Sequence, residues 1–145
     1  MNNEVIRIGQ VVVKFILESS DTNGAMAVFE FSVPAGARVP IPHSHRDFDE
    51  TIYGLEGALT FTVEGKPIDI EPGGSCFIPR GAVHGFDNKK PIDAKALAII
   101  TPALLAPQYF HDMAAIINAG GPPDVEALKA AMLKHGLVPA MPKPA

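Results

Sequence analysis

The sequence predicts an all-β fold followed by two helices. From Val5 to about Ile100, short apolar segments alternate with turns, and no window keeps a helical period over ten or more residues. After Thr101 the apolar residues recur with the period of a helix. Many short strands at close spacing are typical of a β-sandwich or β-barrel, and 145 residues suffice for one such domain with a helical extension.

Two segments show the strand pattern most clearly. Phe29, Phe31 and Val33 alternate with polar residues, which predicts a strand with one buried face. Residues 59–63 repeat this alternation. Turn sequences rich in glycine, proline, asparagine and aspartate separate the strands, at residues 21–24, 34–37, 64–67, 71–74 and 79–82.

Two helices are predicted after the strands. The first begins behind Pro107 and ends before Gly120, and the second begins at Asp124 and ends near Gly136. We expect both to pack on the β domain through their apolar stripes, which are Phe110, Met113, Ala114 and Ile117 in the first and Val125, Leu128 and Met132 in the second.

The predicted organisation follows from these elements. Residues 1–100 form the β domain and residues 101–136 form a C-terminal helical extension. Residues 137–145 contain three closely spaced prolines and are expected to be frayed.

Composition and charge exclude several classes of partner. The net charge is −4 and the 12 Lys and Arg residues are scattered, so we expect no nucleic acid. The start of the chain has no basic region followed by a long apolar run, and the best apolar segment is interrupted by Lys14, so we expect no membrane span. The single cysteine, Cys76, is consistent with a reducing compartment, and we expect a cytoplasmic protein.

The N-terminal segment, residues 5–17, is rich in apolar residues. One face of a small barrel cannot bury them all, so this segment predicts a homodimer.

The segment PIPHSHRDFDE, residues 40–50, carries the strongest chemical signal. On a strand, His43 and His45 point to the same side. Glu50 has the right spacing to lie opposite them on a return strand after a short turn. His84 follows a tight turn and begins another strand. Three imidazoles and one carboxylate would suit one divalent transition metal per chain, such as Fe, Mn, Ni, Cu or Zn.

Other polar residues are weaker candidates for the same site. Asp47 and Asp49 could replace Glu50 as the carboxylate, but they are short for a turn-spanning return and are expected to solvate the loop. His111 and His135 have no partner at a ligand spacing, and His135 is interpreted as a favourable charge at a helix end.

The remaining candidates belong to the core or to the pocket. Cys76 is interpreted as a small core residue. Four aromatic residues could line the pocket or fill the core, and the sequence leaves the choice open for Tyr53, Phe48, Phe77 and Phe86.

These residues resemble the two motifs of the cupins. Residues 36–57 match the first motif with one extra residue before the histidines, at Gly36, His43, His45, Glu50 and Gly57. Residues 73–88 match the second at every spacing, at Gly73, Pro79, Gly81, His84 and Asn88. The resemblance implies an antiparallel jelly-roll barrel with the metal inside one end. Its ligands would be His43, His45, Glu50 and His84.

The resemblance suggests a function without naming a substrate. The chain looks most like the one-domain bacterial cupins grouped with quercetin dioxygenases, which implies a metal-dependent oxygenase acting on a small organic molecule. One alternative is a non-redox isomerase, lyase or decarboxylase, in which Glu50 moves protons as the catalytic residue. Another is a module that binds a small molecule without turnover.

Overall fold

The computed structural model of the chain describes residues 4–37 and 41–140. These residues form eleven strands and three helices. The strands are β1 (Val5–Ile8), β2 (Val11–Leu17), β3 (Ala27–Val33), β4 (His43–His45), β5 (Asp49–Glu56), β6 (Leu59–Val63), β7 (Lys66–Ile70), β8 (Ser75–Ile78), β9 (His84–Asp87), β10 (Ala94–Thr101) and β11 (Leu137–Pro139). The helices are α1 (Ser19–Thr22), α2 (Pro107–Ile117) and α3 (Val125–Lys134).

The strands are arranged in two antiparallel sheets. The six-stranded sheet has the order β1-β2-β3-β10-β5-β8, and the five-stranded sheet has the order β11-β4-β9-β6-β7. Both sheets contribute buried side chains to one apolar core. The predicted all-β jelly-roll fold with C-terminal helices is confirmed. Among the described residues no strand pairs across the two sheets, so backbone hydrogen bonds do not close the barrel.

The predicted strand alternation is observed in β3 and only in part in β6, where Thr60 is also buried and Val63 is half-buried. Phe29, Phe31 and Val33 are buried on β3, and Leu59 and Phe61 are buried on β6. Since side chains alternate between the two faces of a strand, each of these residues points into the space between the sheets.

Helix α2 packs directly on the six-stranded sheet. The Phe110 ring lies 5.7 Å from the Phe15 ring and 5.1 Å from the Phe29 ring, measured between centroids. The helix begins with Pro107, where the missing N–H costs no hydrogen bond. Helix α2 therefore covers one end of the apolar core.

Helix α3 begins as the sequence predicts but buries a narrower stripe. The Asp124 carboxylate accepts a hydrogen bond from the Ala127 N–H at 3.0 Å and caps the helix. Leu128 and Met132 are buried, whereas Val125 in the first turn is 46% exposed. The prediction that Val125 belongs to the buried stripe is wrong, since the structure leaves this first residue of α3 exposed.

The structure accounts for part of the apolar surface on which the homodimer prediction was based. The inward-facing residues of β1 and β2 are buried within the single chain, namely Ile6, Ile8, Val11, Val13 and Phe15. The sequence argument did not count α2, which contacts β1 and adds a second apolar surface. Val5 on the outward side of β1 is 51% exposed, so some apolar surface is left over and the homodimer stays a prediction.

The end of the described chain differs from the predicted frayed segment. Leu137–Pro139 pair with His43–His45 as β11, and Leu137 is buried. Ala140 N–H also donates a hydrogen bond to the Pro42 carbonyl at 2.8 Å. Pro139 is tolerated because β11 is an edge strand of its sheet. The rest of the predicted frayed segment, residues 141–145, lies outside the described residues.

Gly57 closes the tight connection between β5 and β6. Its φ is +62°, and a Cβ built on it would lie 2.4 Å from the Asp93 carbonyl oxygen. Gly65, in the turn between β6 and β7, also has a positive φ, of +80°, but a Cβ there would meet nothing within 4 Å. The two glycines therefore share the backbone requirement but differ in the space around them.

We expect Gly57→Ala to destabilise the fold by more than about 2 kcal/mol, because it adds a backbone clash to the strain of a left-handed residue. The matched Gly65→Ala should cost about 1–2 kcal/mol, from the backbone strain alone. Urea unfolding of the three proteins measures both free energies. Equal losses in the two variants would contradict the close approach at Gly57.

Candidate metal centre

Three imidazoles and one carboxylate meet between the two sheets. His43 and His45 lie on β4, and His84 lies opposite His43 on the adjacent strand β9. Glu50 lies on β5 in the other sheet. Glu50 lies opposite the histidines as predicted, but β5 does not pair with β4, so the predicted hairpin is not formed. Residues 46–48 carry the chain from one sheet to the other, so Glu50 faces the histidines across the interior.

The three imidazoles are close enough to share one metal ion, and the Glu50 carboxylate lies beside two of them. One ligand nitrogen from each of the three histidines lies within 4.8 Å of the other two. Glu50 Oε1 lies 3.4 Å from His84 Nε2 and 3.8 Å from His45 Nε2. His45, His84 and Glu50 are buried, and His43 is half-buried.

Backbone carbonyls orient two of the imidazoles. His43 Nδ1 lies 2.9 Å from the Ile41 carbonyl oxygen, and His84 Nδ1 lies 3.0 Å from the Ala82 carbonyl oxygen. A carbonyl only accepts, so each Nδ1 carries a proton as the donor, and in the neutral imidazole each Nε2 keeps a free lone pair. The lone pairs of His43 and His84 are therefore set for a metal ion.

The third imidazole is held by packing. The His45 ring stacks on the Phe48 ring, with centroids 4.3 Å apart and planes 22° apart. Its Nδ1 is a sealed polar atom without a hydrogen-bond partner among the described residues. The sequence left undecided whether Phe48 lines the pocket or fills the core. The structure shows that Phe48 is buried and packs against the candidate ligand His45.

Burial and mutual repulsion keep two of the imidazoles neutral. Burial and, to a smaller extent, the neighbouring His43 and His84 together lower the pKa of His45 to about 2. Burial lowers the pKa of His43 to about 4, with a contribution from His84. Both residues are uncharged near neutral pH, which is the form in which imidazole binds a metal.

The third histidine has the opposite shift. Burial alone would lower the pKa of His84, but the hydrogen bond and negative charge of Glu50 and the Ala82 carbonyl together raise it. The negative charge of Glu50 therefore stabilises the positive charge of the protonated His84 imidazole. A divalent ion between the same two residues would replace that proton.

Asp49 and Arg80 support the turn that leads to His84. Arg80 donates hydrogen bonds to both oxygens of Asp49, from Nε at 3.3 Å and Nη2 at 3.2 Å, and its backbone N–H donates at 2.8 Å. This pairing lowers the pKa of Asp49. The expectation that Asp49 merely solvates the loop is wrong, because its partner lies 31 residues away in sequence. Asp47 pairs with the adjacent Arg46 at 3.5 Å and is exposed.

The remaining motif residues build the scaffold. Asn88 is buried, and its Nδ2 donates to the Val33 carbonyl at 2.9 Å and to the Ile92 carbonyl at 2.8 Å. Gly73 and Gly81 have the positive φ that their turns require. Asn88 therefore ties the end of β9 to β3 and does not reach the metal centre.

The other two histidines lie outside the cluster. His111 contacts Glu4, and His135 at the end of α3 lies 2.7 Å from Asp112. His135 was interpreted as a favourable charge at a helix end, and the structure adds a carboxylate partner for it, Asp112 on α2.

An apolar cavity of about 90 Å³ opens from the metal centre. Phe86 lines it, whereas Tyr53 and Phe77 are exposed on the outside and Phe48 lies in the core. Cys76 is buried, as expected for a small core residue. The volume of this cavity is below the range of about 300–1,000 Å³ that is typical of pockets for drug-sized ligands. The cavity therefore suits a compact molecule.

Sequence reasoning missed Tyr109, which also lines the cavity. Burial and the negative charge of Glu50 raise the pKa of Tyr109. The signal was its spacing: Tyr109 precedes the buried Met113 by four residues and so lies on the same helix face. The predicted stripe began one residue later, at Phe110.

The donor set fits a transition metal. Neutral imidazole nitrogens with a carboxylate oxygen suit Fe, Mn, Ni, Cu and Zn, and four protein ligands leave positions open on a five- or six-coordinate ion. The candidate metal ligands come from three strands of two sheets, and these strands hold the side chains in place before a metal ion binds. The structure thus places a cluster of three histidines that could hold a metal ion inside a double-sheet β fold.

The fold and this cluster define the class of protein. The sequence profile described as "Cupin domain" matches residues 29–100. The chain belongs to the cupin superfamily.

Curated relatives agree with this family. Quercetin 2,3-dioxygenase of Bacillus subtilis is 27% identical over 104 residues, which is 70% of this chain and 29% of that protein. The tetracenomycin polyketide synthase protein TcmJ of Streptomyces glaucescens is 31% identical over 85 residues, 57% of each chain. The chain therefore spans less than two thirds of these relatives.

A solved structure shows the same fold. A predicted oxalate decarboxylase from Thermotoga maritima superposes with a TM-score of 0.62 and 27% identity, over 70% of this chain and 93% of that one.

Separately, no helix of the described residues is long and apolar enough to cross a membrane.

Proposed function

We propose that the chain is a metal-dependent enzyme that acts on a small organic substrate, and that it is an oxygenase. The observation that carries the proposal is the placement of three imidazoles and one carboxylate at the wall of an otherwise largely apolar cavity. Similarity to the Bacillus dioxygenase favours oxygen chemistry over the alternatives.

His43, His45, His84 and Glu50 would hold one divalent ion, of Fe, Mn, Ni, Cu or Zn. When bound, the ion supplies open coordination positions and Lewis acidity, and a redox-active metal also supplies reactivity toward oxygen. Residues 1–100 supply these ligands, and the extension at residues 101–136 covers the cavity.

Glu50 is proposed as the catalytic residue. Its carboxylate is buried beside His84, and a carboxylate can accept the acidic proton of a substrate at the metal centre. The walls of the cavity are largely apolar, and such surroundings strengthen the electrostatic contacts of a bound substrate.

The cavity also restricts the substrate. A volume of about 90 Å³ suits a diketone or a single-ring catechol better than a fused-ring flavonol. Non-redox decarboxylase or lyase chemistry is the second candidate, because the Thermotoga neighbour is described as a predicted oxalate decarboxylase. A cytoplasmic location and a homodimer stay predictions.

Oxygen dependence tests the proposal. The protein reconstituted with Fe(II), Mn(II) or Ni(II) is expected to convert acetylacetone or catechol in air with uptake of oxygen, and to leave them unchanged under argon. Absorbance of the substrate and an oxygen electrode measure this. Equal product under argon would favour the isomerase, lyase or decarboxylase reading. Thermal stabilisation by the substrate without turnover would indicate a binding module.

A further inference from the structure

Tyr109 contributes a polar side chain to the cavity from α2. The cavity wall contains five polar side chains among the described residues, and four of them are His43, His45, Glu50 and His84. Tyr109 is the fifth, and it is 4% exposed. It is the polar residue that the helical extension adds to the wall built by the strands.

The Tyr109 hydroxyl serves no visible structural purpose. No described residue forms a hydrogen bond with it. It differs from His45 Nδ1, which is sealed in protein, because the phenol borders the free space of the cavity. A buried hydroxyl without a partner loses the free energy of its hydrogen bond to water, so an uncompensated phenol here would be costly where phenylalanine would pack equally well.

The ring of Tyr109 is held on two sides. It packs edge to face against Phe110, with centroids 5.0 Å apart, and against His135, with centroids 5.5 Å apart. His135 is fixed in turn by Asp112 at 2.7 Å. Phenol and helix are thus positioned before any ligand enters.

The end of α2 is tied to the first hairpin. Asn118 accepts a hydrogen bond from the Gly9 N–H at 2.8 Å and donates one to the Arg7 carbonyl at 2.7 Å. These contacts fix the helix that carries Tyr109 against the sheet.

We propose that Tyr109 donates a hydrogen bond to an oxygen atom of the substrate, as a positioning residue in the cavity that the three histidines also line. The inference rests on the proposed function and narrows its substrate class. The substrate is a compact, otherwise apolar molecule with two oxygen functions, one directed to the metal centre and one to Tyr109. A small diketone in its enolate form has this arrangement.

Tyr109→Phe removes the hydroxyl and keeps the ring. The matched control is Tyr53→Phe, because Tyr53 is the other tyrosine of the chain and is 43% exposed on the outside. Both variants and the wild type are loaded with Zn(II) and titrated with acetylacetone by calorimetry. We expect acetylacetone to bind Tyr109→Phe about 10–100-fold more weakly than wild type, because the variant lacks one hydrogen bond to a charged ligand. Tyr53→Phe should bind within about twofold of wild type, since it contacts nothing in the cavity.

A spectroscopic signal separates a hydrogen bond from a packing role. In Tyr53→Phe protein, Tyr109 is the remaining tyrosine, so isotope labelling of the tyrosine hydroxyl-bearing carbon yields one nuclear magnetic resonance signal. That signal should shift when acetylacetone is added to the Zn(II) protein. Equal affinity of wild type and Tyr109→Phe, or an unmoved signal with bound acetylacetone, would overturn the proposal.

Failure of the proposed function has a different signature. Wild-type protein that takes up no Zn(II) would overturn the metal site and this inference together. Wild-type protein that binds Zn(II) but not acetylacetone would overturn the inference and leave the metal site standing.

Discussion

Replacing His45 and His84 together with alanine is expected to lower the metal content from one ion per chain to the background of dialysed protein. The double variant leaves His43 and Glu50, and two ligands on separate sheets do not hold a divalent ion against dialysis. Element analysis of protein purified without a metal-affinity tag measures the content. Circular dichroism shows whether the variant is folded, since both residues are buried.

Two further variants make this result specific. His111→Ala removes an imidazole that pairs with Glu4 outside the cluster, so its metal content should equal that of wild type. His45→Gln with His84→Gln keeps more of the buried volume and should lose the metal as completely. A folded double variant with a full complement of metal would show that the ligand assignment is wrong.

Glu50→Gln is expected to abolish turnover while part of the metal is retained. The substitution keeps the size of the side chain but removes its negative charge and its ability to accept a proton. Turnover should fall at least about 100-fold, the lower end of the range for a lost general base. Metal affinity should fall about tenfold or more, because the amide is a weaker ligand than the carboxylate.

Glu56→Gln is the matched control for this variant. It lies on the same strand, β5, but is exposed at the far end. Both its turnover and its metal content should match wild type. Full activity in Glu50→Gln would remove Glu50 from the proposed catalytic role, even if the metal stayed bound.

The sequence predicted the candidate ligands because they depend on local geometry. His43 and His45 share a face through the two-residue period of a strand, and the tight turn around Gly81 places His84 at the start of β9. The spacing of the two motifs supplied Glu50. The strand faces and the turn follow from neighbouring residues, whereas the assignment of all four residues to one site came from the resemblance to the cupin motifs.

What the sequence did not predict depends on contacts between distant segments. Glu50 was placed on a hairpin because a short turn is the simplest connection, but the chain crosses between sheets there. Asp49 meets Arg80 from 31 residues away, and Leu137 is buried by pairing with β4. No local pattern specifies these partners.

Tyr109 illustrates the same limit at the functional site. Its helix was predicted with the right start and an apolar stripe. Which side chain points into the cavity depends on how α2 crosses the sheet, and that angle is set by packing of Phe110 on Phe15 and Phe29. The position of the Tyr109 hydroxyl in the cavity could therefore be found only from the structure.

A crystal structure of the metal-loaded protein, with anomalous diffraction recorded at the absorption edge of the bound metal, tests the central claim most directly. We expect one anomalous peak per chain between the two sheets, at about 2.0–2.2 Å from His43, His45, His84 and Glu50. A peak that contacts other residues, or no peak in protein whose element analysis shows bound metal, would contradict the assignment of these four residues as the metal centre.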